Sequence, residues 1–333
     1  MNTFTMVRFL LKVPIGFRDQ YGDGGKLKSI YEKLSHPLLL SIFLISGSAS
    51  LVFETIWIRV LSLSVGSTSE SISLTLAIFF AGLALGSFLV GRIVKNVKDI
   101  LSLYCLIELA VGIYGLIVLY PLSHLNFVLD IFDVDASVLG WSLKFFSIFI
   151  LLMPACIGMG ASLPVLTEYF YRQKVSTDKN VSILYGLNTL GAVFGAVATG
   201  FIFIPHFGIE GTNVAAGIIY ISIAVIVYLF RNGIKVSTDH SDVINPDLKT
   251  VTTRLSKPIL LTITGLVGFS AIAAEVVWSK YLGIFFGTNI FGLGLVLGVF
   301  LIGIALGPLL SFRLLNRVES KDKLLFILLG ILP

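Results

Sequence analysis

Residues 47–70 read GSASLVFETIWIRVLSLSVGSTSE, and residues 268–291 read GFSAIAAEVVWSKYLGIFFGTNIF. Laid side by side without a gap, at an offset of 221 residues, they pair Gly47 with Gly268, Glu54 with Glu275, Trp57 with Trp278, Arg59 with Lys280 and Gly66 with Gly287. The match resumes downstream, where FFAGLALGSFLVGR (79–92) lies over FLIGIALGPLLSFR (300–313), so that Gly82, Gly86 and Arg92 fall on Gly303, Gly307 and Arg313. Self-similarity at one fixed offset is the signature of a duplicated unit. Each copy sets a carboxylate at the same place in an otherwise apolar run, and chance does not align a charge inside a membrane span in this way.

The rest of the chain has the same character. Of 333 residues, 56% are hydrophobic and 13% charged, and the mean hydropathy of +0.96 lies outside the range of a domain whose solvent is water. Crossing about 30 Å of hydrocarbon takes about 20 apolar residues of helix. Eight runs meet that length, near 37–64, 68–92, 100–121, 139–170, 181–205, 211–230, 258–285 and 289–312. A ninth run begins at Leu324 and reaches Pro333 too soon to cross, so the second copy is expected to be cut short. Six spans separate the two copies, an even number, so both run in the same direction across the membrane. The expected organisation is an N-terminal arm (1–36), a first half of six helices (37–231), a polar linker (232–257) around the INPDLK turn, and the start of a second half (258–333).

The formal net charge of +5 points to a membrane topology rather than to nucleic acid, because nearly all of the Lys and Arg fall in alternate connections. Arg8, Lys12, Arg18, Lys26, Lys28 and Lys33 precede the first span; Arg92, Lys95 and Lys98 follow the second; Arg172, Lys174 and Lys179 follow the fourth; Arg231, Lys235, Lys249, Arg254 and Lys257 follow the sixth. The intervening loops, such as PHFGIEG (205–211), have none. The positive-inside rule then puts the N-terminus in the cytoplasm of a multi-pass protein of the bacterial inner membrane. No removable signal peptide is evident. Cys105 and Cys156 fall inside spans and read as small apolar residues rather than a disulfide.

Three carboxylates inside spans stand out: Glu54, Glu275 and Glu108. Two readings stand for the first pair. Glu54 and Glu275 line a central cavity and take a cation or a proton, with Trp57 and Trp278 three residues on and so on the same helical face; or each pairs with a basic residue, Arg59 or Lys280. Glu108 has no charged mate in the second copy and reads as either a site residue or a local hydrogen-bond acceptor. Asn188 on the fifth span either bonds across a helix interface or touches substrate. In the fourth span, MPACIGMGASLPVLTEYF (153–170), Pro154 and Pro164 interrupt the hydrogen-bond ladder and Gly158 and Gly160 soften it, giving either a broken helix beside a substrate path or a plain kink. Gly82, Gly86 and Gly91, and Gly191 and Gly195, read as close-packing positions. The four histidines (His36, His124, His206, His240) have no metal-ligand spacing, Asp130, Asp133 and Asp135 read as a solvated turn, and YGDGG (21–25) lacks the strand a nucleotide-binding turn requires. No metal, cofactor or catalytic residue is expected.

SGSASLVFETIWIRVLSLSVGST (46–68), AGLALGSFLVGR (81–92), PACIGMGASLPVLT (154–167) and LYGLNTLGAVFGAVATGFIFIPHFGIEGT (184–212), with the second copy around Glu275 and Trp278, resemble the membrane region of bacterial fused major-facilitator and spermidine-synthase-like proteins. The resemblance covers about 37–333 and implies an all-α, major-facilitator-like bundle. It also implies a soluble aminopropyltransferase-like domain, using decarboxylated S-adenosylmethionine and a polyamine, as a fused or separate partner. This chain has no soluble region long enough to hold that domain. The expected function is therefore a carrier-like membrane domain moving a polyamine or other small organic cation, and the alternative is a membrane anchor or substrate-delivery module for such a synthase.

Overall fold

The structure is a computed structural model that describes residues 24–65, 68–125, 138–173, 177–231, 256–286 and 290–315. The ninth apolar run, His240, the outer aspartates Asp130, Asp133 and Asp135, the first three residues of YGDGG (21–23) and most of the arm and linker lie outside them. The described residues form eight long helices: α1 (Gly24–Val65), α2 (Thr68–Ile93), α3 (Ile100–Ser123), α4 (Val138–Arg172), α5 (Thr177–Ala198), α6 (Ile204–Phe230), α7 (Lys257–Phe286) and α8 (Ile290–Leu315). They match the eight expected spans. Helices are the form in which a single segment satisfies all its own backbone groups in hydrocarbon. Exposed apolar side chains, Leu106, Ile113, Ile117 and Phe194 among them, ring the bundle and face lipid.

Lipid removes the solvent drive for helices to associate, so close packing between small residues has to supply it. The principal pairs are α1 with α5, α2 with α4, α8 with α5 and α3 with α6. Between α2 and α4, a Cβ on Gly86 would overlap the Ile157 carbonyl and one on Gly160 would overlap the Leu83 backbone. Between α1 and α5, side chains at Gly191 and Gly195 would overlap the Leu44 and Ser48 carbonyls. The glycines thus let main chains touch. Gly91 is different, with its nearest neighbour, Pro164 Cβ, 4.0 Å from where a side chain would begin.

α4 runs unbroken through both prolines, which corrects the expectation of a broken helix at Pro154, Gly158, Gly160 and Pro164. Pro164 has no amide proton for the Gly160 carbonyl, four residues earlier. Ser87 Oγ on α2 donates to that carbonyl instead, at 2.7 Å, so the freed acceptor is satisfied by a neighbouring helix. Gly158 meets Val111 of α3, again a packing role. The irregular backbone lies elsewhere, in a π turn over Thr199–Phe203 just before Pro205, and at Gly208, whose φ of 67° is left-handed. Gly208 makes a kink within α6, four residues after its start, and a side chain there would be strained.

One end of the bundle is tied by arginines. Arg172, at the end of α4, pairs with Glu168 at 2.8 Å and donates to the carbonyls of Val97 and Lys95 at 2.8 and 3.0 Å, binding α4 to the short 3-10 turn after α2. Arg231, at the end of α6, bonds Ser102 Oγ and lies 4.0 Å from Asp99. Asp99 caps α3 by accepting from Ser102 N at 3.0 Å. Partial burial pushes its carboxyl up, but the bonds from Ser102 and the nearby Arg231 outweigh this and hold it below the ordinary carboxylate value.

Two outcomes are expected. Gly160→Val lowers stability in detergent by about 1–3 kcal/mol, the usual range for overpacking, whereas Gly91→Val changes it little; thermal unfolding of the two variants checks this, and equal losses would contradict the packing account. Asp99→Ala costs about 1 kcal/mol for the lost cap. Because the folded carboxyl titrates below its unfolded value, that contribution is complete above about pH 4 and fades as pH falls through the lowered folded value, so melting curves of wild type and variant converge in acid.

Candidate functional site

The stretch quoted first folds so that Ser46, Ser50 and Glu54 recur every four residues along one face of α1. All three open onto one internal cavity of about 110 Å³. Phe79, Phe80 and Leu83 of α2, Met159 and Ser162 of α4, Tyr185, Asn188, Thr189 and Ala192 of α5, Tyr220 of α6, Glu275 of α7, and Leu301 and Ile304 of α8 complete its wall. Glu54 is 1% exposed and Glu275 2%. The helices thus bring the two carboxylates to one small cavity. Glu54 Oε1 and Glu275 Oε2 are buried without a hydrogen-bond partner among the described residues. Leaving a charge in that state is costly, so each carboxyl needs a proton or a counter-charge.

The ion-pair alternative is not what the geometry gives: neither Arg59 nor Lys280 meets Glu54 or Glu275 among the described residues. Lys280 instead faces a separate, larger cleft of about 840 Å³ between α2, α4 and α7, along with Glu70, Trp141 and Lys144. There Lys144 donates to the Ser64 carbonyl at 2.6 Å.

The tryptophans do not reach the cavity. Trp57 is fully buried, stacked on Phe53 at 5.6 Å with an interplanar angle of 7°, and Phe53 in turn stacks on Tyr220 at 5.7 Å. Trp57 therefore backs the wall that Tyr220 forms. Trp278 is 53% exposed and packs edge-on against Tyr281 at 6.1 Å. A three-residue step along a helix is about 60° short of a full turn, enough here to turn each tryptophan away from its carboxylate. Asn188 lies at the α1–α5 crossing and on the cavity at once: its backbone fills the space beside Gly47 while its side chain lines the wall.

Glu108 lies just behind the wall, with 0% exposure. It accepts from Ser46 Oγ at 3.0 Å and from Ser162 Oγ at 2.9 Å, two residues that themselves line the cavity. Sequence reasoning singled out Glu108 and Asn188 but missed Ser46, Ser50, Ser162, Thr189, Tyr185 and Tyr220. The four-residue step from Ser46 through Ser50 to Glu54 was the signal for the first two; the others depend on which faces of α4, α5 and α6 turn inward.

Residues 38–333 match the model of the Major Facilitator Superfamily. The chain belongs to that superfamily. A curated relative, the polyamine aminopropyltransferase of Oceanobacillus iheyensis, is 25% identical over 198 residues, which cover 58% of this chain and 36% of the relative. The chain thus spans little more than a third of that protein's length. No solved structure matches. Both findings agree with the resemblance to fused major-facilitator and synthase-like proteins, and this member of the superfamily is an all-helical, multi-pass membrane protein.

In reconstituted protein, cysteines introduced as Ser50→Cys or Thr189→Cys are expected to react with a small cationic thiol reagent. Trp57→Cys and the native Cys105 and Cys156, both free and buried, are expected to stay unmodified. Mass spectrometry reads the labelling, and equal reaction at positions 50 and 57 would refute the cavity's boundary.

Proposed function

We propose that this chain is the membrane carrier part of its protein and moves a small organic cation by alternating access. The observation that supports this most directly is the pair of buried, unpartnered carboxylates, Glu54 and Glu275, contributed by α1 and α7 to one cavity. Substrate or protons neutralise them, and their repulsion eases when a cation arrives. In this reading α1–α6 (37–231) form one half, 232–257 is a linker, and α7 onward (258–333) begins a second half in the same orientation, with Glu54 and Glu275 as equivalent residues of the duplicated unit. Rocking of the halves about the cavity exposes it to each side in turn. The N-terminus lies in the cytoplasm of a bacterial inner membrane, because the loop lysines and arginines crowd one side.

A polyamine is the substrate best suited to this site, as a flexible chain of ammonium groups that matches two carboxylates set in an apolar wall. The cavity of about 110 Å³ is smaller than the roughly 150 Å³ cavities that hold benzene, so a polyamine requires it to open, as a carrier must. A second reading has one observation in its favour: the partial relative is named a polyamine aminopropyltransferase. There the chain anchors such a synthase domain and delivers its cationic substrate, without a transport cycle.

Spermidine uptake into proteoliposomes containing the full-length protein separates the two. Saturable uptake in the wild type, reduced at least ten-fold by Glu54→Gln and by Glu275→Gln, is the expected result. Binding without uptake would favour the delivery role, and uptake indifferent to both substitutions would overturn the carboxylate site.

A further inference from the structure

We infer that the cavity has a second anionic pole, Glu108 acting through Ser46 and Ser162, and is built for cations with an ammonium group at each end; this rests on the carrier reading above. Glu108 takes no part in that reading, yet it is fully buried and three bonds tie it to the cavity wall: Ser46 Oγ reaches its two oxygens at 3.0 and 3.2 Å, and Ser162 Oγ reaches one at 2.9 Å. A serine hydroxyl has one proton and two lone pairs. With both protons turned toward Glu108, Ser46 and Ser162 offer lone pairs to the cavity and are left as acceptors. A carboxylate behind a hydroxyl strengthens that acceptor, as charge-assisted hydrogen bonds are about twice as strong as neutral ones.

The spacing of the poles follows from α1. Ser46 and Glu54 are eight residues apart on one face, about 12 Å at 1.5 Å per residue. One end of the cavity therefore carries Glu54 and Glu275, and the other carries two serines polarised by Glu108. An extended chain advances about 1.2 Å per bond, so a triamine reaches toward both poles and a short monoamine toward one. Glu108 is a positioning residue here: it does not touch the cation, but it fixes which way the serine hydroxyls point.

The test is titration calorimetry of full-length protein in nanodiscs with spermidine, a two-headed probe, and butylamine, a one-headed one. Glu108→Gln keeps the shape but removes the charge, and its amide donates as well as accepts. It is expected to weaken spermidine ten-fold or more while changing butylamine less than about two-fold. Equal weakening of both probes, or of neither, overturns the second pole. Ser46→Ala leaves Glu108 held by Ser162 and guards against misfolding of the first variant; it is expected to give the same selective loss, and unchanged spermidine binding by it overturns the proposal. Glu54→Gln is expected to weaken both probes. Wild-type protein that binds neither would overturn the carrier reading itself, a result distinct from loss of selectivity alone.

Discussion

Two buried carboxyl groups with unpartnered oxygens, set in one cavity between membrane helices, are the constraint around which this molecule is arranged. An ionised group at that depth costs several kcal/mol unless something compensates it. Ordinary compensation would be an arginine or lysine across the cavity, but the described helices bring none to Glu54 or Glu275. What they supply instead is enclosure: α1, α2, α4, α5, α6, α7 and α8 all contribute to one wall. The site is left short of positive charge.

Keeping such a site closed demands helices that pack tightly without solvent to press them together. The molecule meets this with main-chain contacts at Gly86, Gly160, Gly191 and Gly195, and with a run of flat rings, Trp57, Phe53 and Tyr220, stacked from the core to the wall. Ser87 belongs to the same economy, since its bond satisfies the Gly160 carbonyl that Pro164 leaves free. The arginines at the ends of α4 and α6 hold the connections in place where the helices leave the apolar layer.

Much of the fold could be read from the residues because hydrocarbon allows few structures. Apolar length gave eight spans, and a helix lies over each among the described residues, although the first begins at Gly24 and the fifth and sixth meet about seven residues earlier than expected. The carboxylates were found from the self-match alone, and their meeting in one cavity follows from their burial. The tryptophans were a different matter: sharing a helical face is a coarse criterion, and it does not decide whether a ring lines the cavity, as Tyr220 does, or stands behind it, as Trp57 does. The prolines of α4 left two readings open, a broken helix or a plain kink, and the helix runs on through both. Whether Pro164 breaks a helix depends on a serine on another helix, and nothing local to residues 153–170 records that Ser87 is there. The π turn before Pro205 was equally unannounced, although the proline and the glycine-containing loop marked the place where α5 had to give way.

The glycine crossings also bear on how this protein can change over generations. Every amino acid other than glycine carries at least a Cβ, and at positions 86, 160, 191 and 195 that first carbon already collides with a neighbouring main chain. No mild substitution exists there for selection to try. Exposed positions on the outer faces of the helices, where side chains have room to differ, carry no such restriction. The four crossings therefore act as fixed pins, and change in this fold has to go around them.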